Sequence, residues 1–200
     1  MTIASPLRTL RRYLPGKRVE RCALCGAKLE HEHRHLIDVM TRQLSCACEA
    51  CTVLFAHRGE SSLRSVGRHA RRLPEFAMSD AEWEALRIPI GLAFFVYDSA
   101  AARITAFYPG PAGPTESQLG LEAWGGIAAR NPELAAMEPD VEALLVNRMG
   151  SARDHYLTPV DRCYELAGMI RMHWRGLSGG DEVWRQIDGF FTRLREGGNA

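Results

Sequence analysis

A chain of 200 residues, 46% hydrophobic and 24% charged, has the balance of a globular protein rather than of a disordered or fibrous one. Its formal net charge of +1 creates no global field that would draw nucleic acid or a membrane surface. There is no apolar run of about eighteen residues and no signal-peptide core, so a membrane span is excluded and a cytoplasmic protein is expected.

Residues 1–18 are basic and interrupted by Pro6, Pro15 and Gly16, which predicts an irregular arm. Residues 19–57 hold five of the six cysteines. In a reducing compartment such a cluster points to metal or redox chemistry rather than to disulfides. Cys22 and Cys25 form one C-x-x-C, followed by Gly26, and Cys48 and Cys51 form a second. Two thiolates three positions apart on a tight turn can face one centre, and glycine permits the turn's backbone. Two such turns make a tetrahedral four-thiolate site suited to Zn2+ or, alternatively, a single Fe. The segment between them has the length of a hairpin turning near Thr41 and Arg42. Knuckle, hairpin and second pair predict a zinc-ribbon or rubredoxin-like module.

Two features of this module exceed what four ligands need. Cys46 is a fifth thiol. It can end the hairpin as a small apolar residue, replace Cys48, or serve as an additional metal or redox thiol. His31, His33 and His35 alternate, so an extended segment puts them on one face. That face is either a solvated strand edge or a labile site for zinc, cobalt or nickel, and His35 with three cysteines is a further arrangement.

Residues 58–75 are polar and arginine-rich and predict a linker with at most one short strand. Residues 76–197 predict the larger α+β domain. Ser79 with Glu82 reads as a capping box, and Pro89 stops the helix it opens. "LAFFVYDSAAARITAFYP" reads as two strands around a turn at Asp98 and Ser99. "GPAGPT" reads as a loop, and a helix closes at Asn131-Pro132. Leu144, Leu145 and Val146 favour a buried strand, and "HYLTPV" is extended. Apolar residues at Val160, Cys163, Tyr164, Ala167, Ile170 and Trp174 mark one helix, with Cys163 in its core stripe. Val183, Ile187, Phe190, Phe191 and Leu194 mark a second. The fold class is therefore α+β, a metal module followed by a larger α+β domain with two C-terminal helices.

"GLSGG" at 176–180 matches G-x-S-x-G, but a nucleophile elbow needs a strand before it and the preceding segment reads as helix. A helix end at Gly176, with Ser178 capping the next helix and Asp181 completing a capping box, explains the same residues; His155, His173 and Asp181 would be partners in the esterase reading. No Walker or dinucleotide motif is present. The residues therefore weigh against an enzyme, and no catalytic residue is assigned. The basic stretches lack interleaved stacking aromatics, so no nucleic-acid partner is expected.

Four segments, beginning "RCALCGAKLEHEHRHLIDVM", "LRIPIGLAFFVYDSAAARITAFYP", "EPDVEALLVNR" and "HYLTPVDRCYELAGMIRMHWRGLSGGDEVW", together resemble a bacterial, mainly actinobacterial, family of unknown function. Its members are associated with gene clusters of oxygen-tolerant uptake nickel–iron hydrogenases. The resemblance implies an accessory role in maturation, assembly or electron transfer, with a hydrogenase subunit or assembly factor as protein partner. It assigns no catalytic residue, no metal and no oligomeric state. Three readings stay open: a zinc-stapled interaction factor, a rubredoxin-like one-electron carrier, and a metal-delivery protein using the histidine row.

Overall fold

The structure, a computed structural model, describes residues 19–56, 61–117, 122–176 and 179–197. The expected basic arm and Ser178 lie outside them. The described residues form a mixed α+β fold with two antiparallel sheets.

The smaller sheet has the order β2-β1-β3, with β1 at Arg34–Asp38, β2 at Leu44–Ala47 and β3 at Leu63–Ser65. The β1–β2 turn lies where the sequence places it. The Asp38 carboxylate accepts from the backbone N–H of Met40 and Thr41 and from the Thr41 and Ser62 hydroxyls. These donors, Ser62 foremost, hold its carboxyl below the usual range. Helix α1, Glu49–Phe55, follows β2 directly.

The larger sheet has the order β4-β9-β8-β5-β6-β7. Its strands are β4 (Arg71–Arg72), β5 (Leu92–Asp98), β6 (Arg103–Gly110), β7 (Gly113–Glu116), β8 (Glu142–Asn147) and β9 (Asp154–Pro159). The central strands are continuously apolar because both faces are covered. Phe94, Val96, Leu145 and Tyr156 face α4 (Val160–His173) and α5 (Gly180–Gly197). Ala93, Phe95, Leu144 and Val146 face Leu86, Ile127 and Leu134, which come from the segments of α2 (Asp80–Ala85), α3 (Trp124–Arg130) and a 3-10 turn at Pro132–Ala136. The capping box at Ser79 and Glu82 is present in full. Its helix stops before Pro89, at Leu86 and Arg87, where Arg87 takes φ +52°.

Two segments differ from the sequence reading. "GPAGPT" is not a free loop but a tight connection into β7, with Pro109 opposite Pro114. A proline-bearing strand is tolerated there because β7 is an edge. The arginine-rich stretch at 58–75 carries β3 and β4, one strand in each sheet. These strands are only three and two residues long, too short for a period to show.

The two sheets share a core. Ile37 of β1 and Val66, just past β3, are buried in the same cluster as Phe94, Phe107 and Val160. Arg42, in the β1–β2 turn, donates to the Asp98 carboxylate and lies 5.0 Å over the Phe107 ring. Burial opposes ionisation of Asp98, but the N–H groups of Ala101 and Ala100 and the Arg42 cation hold its carboxyl below the usual range.

His155 in β9 is 5% exposed and stacks on Phe76 at 4.6 Å. Burial, then the Arg148 and Arg153 cations, lower its pKa to about 4 from 6.5. Between those values the unfolded chain binds a proton that the folded chain refuses. Stability is therefore full above about pH 6.5 and falls as pH drops towards 4, by about 3 kcal/mol in all. His155→Phe should flatten the pH dependence of the melting temperature over that window, read by thermal unfolding at half-unit pH steps.

Candidate metal centre

The first C-x-x-C sits on a turn closed by backbone bonds. Gly26 N–H donates to Cys22 O, and Cys22 N–H donates to Ala27 O, both at 2.8 Å. Gly26 takes φ +76°, a conformation that L side chains adopt at a cost. Ala23 N–H donates to Cys46 O at 2.8 Å, which pins this knuckle to the end of β2.

The second pair opens a helix instead of closing a second knuckle. Cys48 is the N-cap of α1, and its sulfur accepts from Cys51 N–H at 3.4 Å. The Thr52 hydroxyl donates to Cys48 O at 3.1 Å. The free N–H groups of a helix's first turn favour a thiolate there. Arg34 of β1 reaches across to Glu49 through two hydrogen bonds, at 3.1 and 3.3 Å, tying the helix to the sheet.

These two supports bring Cys22, Cys25, Cys48 and Cys51 together, their sulfurs all within 4.8 Å of one another. A tetrahedron with metal–sulfur bonds of about 2.3 Å has edges of about 3.8 Å. The Cys25 and Cys48 sulfurs are 3.7 Å apart, too far for a disulfide and matched to such an edge. Cys22 and Cys51 are buried, Cys48 is half-buried and Cys25 exposed. Burial works against the Cys22 thiolate, yet the backbone N–H groups of Cys48, Cys25 and Leu24 bring its pKa to about 6. Burial and the neighbouring thiols Cys48, Cys25 and Cys22 push Cys51 up to about 12. Four sulfurs this close cannot all ionise unless a cation joins them. The donor set thus fits a thiophilic metal ion.

A second group stands beside the first. His33, His35 and Cys46 each offer one ligand atom within 4.8 Å of the other two. His35 lies directly opposite Cys46 in the β1–β2 ladder, and His33 is two residues before His35 on the same face. The His33 and His35 rings meet edge to face at 4.9 Å. His31, in a bend ahead of β1, is exposed and outside this trio. Cys46 is half-buried, and burial, then the Glu20 carboxylate and Cys22, raise its pKa.

The sequence did not reveal Asp161, whose carboxylate accepts from His35 Nδ1 at 2.8 Å. Asp161 lies in the first turn of α4, 126 residues away, so no local pattern could have signalled it. Cys163 is fully buried in α4 and far from neither the core nor its expected role; burial raises its pKa well above the thiol range. The segment before Gly176 is helix α4, so the strand that a nucleophile elbow requires is not there among the described residues.

Gly26→Ala should force a side chain into the left-handed region and destabilise the protein by about 1 kcal/mol. The free space around Gly26 means that backbone strain, not a clash, carries this effect. Chemical denaturation of the metal-loaded protein would measure it.

No helix among the described residues is long and apolar enough to cross a membrane. Residues 21–198 match the model of a family described as "Family of unknown function (DUF5947)". No curated protein and no solved structure matches the chain. The match spans nearly the whole sequence, and the chain belongs to that family.

Proposed function

We propose that this member of a family of unknown function is a metal-binding accessory protein whose four cysteines hold one zinc ion as a structural staple. The observation that carries this reading is the convergence of Cys22, Cys25, Cys48 and Cys51 within 4.8 Å, two of them buried. The buried cluster around them is Cys22, Leu29, Leu36, Ala47 and Cys51, a small core that a further bond would reinforce beside the contact of Ile37 and Val66 with the larger sheet. A closed four-thiolate site supplies that bond and leaves no open position for substrate.

The module is also the part that would meet a partner. Val53, Leu54 and Phe55 of α1 are exposed, as are Leu24 beside the first knuckle and Met40 in the hairpin turn. Exposed apolar side chains on a rigid, metal-held surface suit protein docking. The resemblance of the segments to proteins of uptake nickel–iron hydrogenase clusters is what suggests a hydrogenase subunit or assembly factor as that partner. A rubredoxin-like iron would use the same four thiolates. Against it, only the first pair has the C-x-x-C-G form, and the second pair caps a helix.

Elemental analysis with a visible spectrum tests the staple on protein purified without oxygen, chelator or a histidine tag. One zinc per chain and no colour is expected. One iron with thiolate charge-transfer bands that bleach on reduction would establish the electron carrier instead. Cys25→Ser should lose the ion and unfold at least the small sheet, because structural zinc binding is worth about 10–16 kcal/mol in small modules. Unchanged metal content and an unchanged melting curve in that variant would refute the ligand set.

A further inference from the structure

We propose that His33, His35 and Cys46 form a second metal site, separate from the four-cysteine cluster and open on one side. The argument begins with the two rings. His33 Nδ1 lies 2.9 Å from the Glu30 carbonyl, and His35 Nδ1 lies 2.8 Å from the Asp161 carboxylate. A carbonyl and a carboxylate only accept, so in both rings Nδ1 carries the proton and Nε2 keeps its lone pair. This is how metal-binding imidazoles are prepared: the far nitrogen is held by an oxygen and the near one is free to coordinate.

The second observation is an orphan. The His33 side chain is 8% exposed, and its Nε2 is buried with no hydrogen-bond partner. A buried polar nitrogen left bare costs about 1–3 kcal/mol, and folded proteins rarely leave one so. The Cys46 sulfur and a nitrogen of the His35 ring stand within 4.8 Å of a His33 ring nitrogen. The Asp161 carboxylate is 17% exposed, and its other oxygen is buried and unpartnered, so its contact with His35 is the polar one it makes among the described residues. A metal ion answers the orphan nitrogen and fixes the carboxylate's role as orienter of His35.

Two imidazoles and one thiolate suit zinc, cobalt or nickel, and three protein ligands leave a coordination position free. His33 and His35 line a cleft of about 500 Å³ between the small module and α4, together with Arg34, Arg68 and Arg162. The lining also carries Glu20, Glu32, Asp161 and Glu165, so charges of both signs meet there, and the free position would take water or a small ligand that enters from the cleft. The four-cysteine site is closed and holds its ion; this site exchanges. His31 also lines the cleft but is not a ligand.

The test uses the full chain with its tightly held ion in place. Protein dialysed against a weak chelator is titrated with Co2+, and binding is read by the thiolate-to-cobalt absorption and by calorimetry. One further equivalent is expected in the wild type, with a cobalt spectrum that shifts on adding azide. Cys46→Ser should abolish the thiolate band of that equivalent. Asp161→Asn, a substitution outside the small module whose melting curve is recorded alongside, should weaken it about 10- to 100-fold. His31→Ala should leave it unchanged. A wild type that takes no further equivalent would overturn the site, as would Cys46→Ser and Asp161→Asn proteins that bind like the wild type. A spectrum indifferent to azide would overturn its openness. Loss of the tightly held ion in Cys25→Ser, with this equivalent retained or not, speaks only to the four-cysteine staple.

Discussion

The N-terminal module depends on one electrostatic constraint: sulfur atoms crowded into a space where they cannot all carry charge alone. Cys22 and Cys51 are both part of the module's own small core. Their pKa values are driven in opposite directions by the same neighbourhood, one to about 6 and the other to about 12. Such a spread means that the first thiolate to form makes the next harder to form. A divalent cation reverses the sign of that interaction, turning mutual repulsion into shared attraction. The backbone prepares for this outcome on both sides. The N–H groups of Cys48, Cys25 and Leu24 favour the Cys22 thiolate, and Cys51 N–H in the first turn of α1 donates to the Cys48 sulfur.

The rest of the molecule supports this module from the opposite face. Leu36 of β1 faces the cysteine core, whereas His35 and Ile37, two residues apart, share the other face, where Ile37 enters the larger sheet's core. Arg42 and Asp98 lock the hairpin turn against β5, and His35 and Asp161 lock β1 against α4. Both ties are polar and partly buried, so each fixes a single orientation more than it adds stability. The larger sheet, sealed on both faces by apolar residues, is the rigid body against which these ties are made.

Much of this was readable in the residues. The paired C-x-x-C motifs showed the four sulfurs because two residues of each pair sit on one turn, and local geometry alone aligns them. The capping box at Ser79, the strand run at Leu144 to Val146 and the two C-terminal helices were likewise local patterns. Beyond reach were contacts that only the folded chain creates. β3 and β4 are too short for a period, and β7 is built on glycine and proline that read as a loop. The alternation of histidines pointed to a shared face, yet which of them gather followed from strand pairing: His35 opposes Cys46, His33 flanks it, and His31 falls before the strand begins. That the second cysteine pair would cap a helix was hidden because "CEAC" is compatible with a turn of either kind.

The sequence separations of these contacts also set an order in time. All four clustered thiols lie between Cys22 and Cys51, and the β1–β2 hairpin and α1 are complete by Phe55. Loop closure over such short spans is fast, whereas β4 must wait for β9, and His35 for Asp161, which is 126 residues further on. During synthesis the thiol cluster therefore emerges before the larger sheet is made. The His35–Asp161 tie forms later. The newly made chain thus passes through an interval in which the cysteine cluster has already emerged and the face carrying His33 and His35 still lies uncovered.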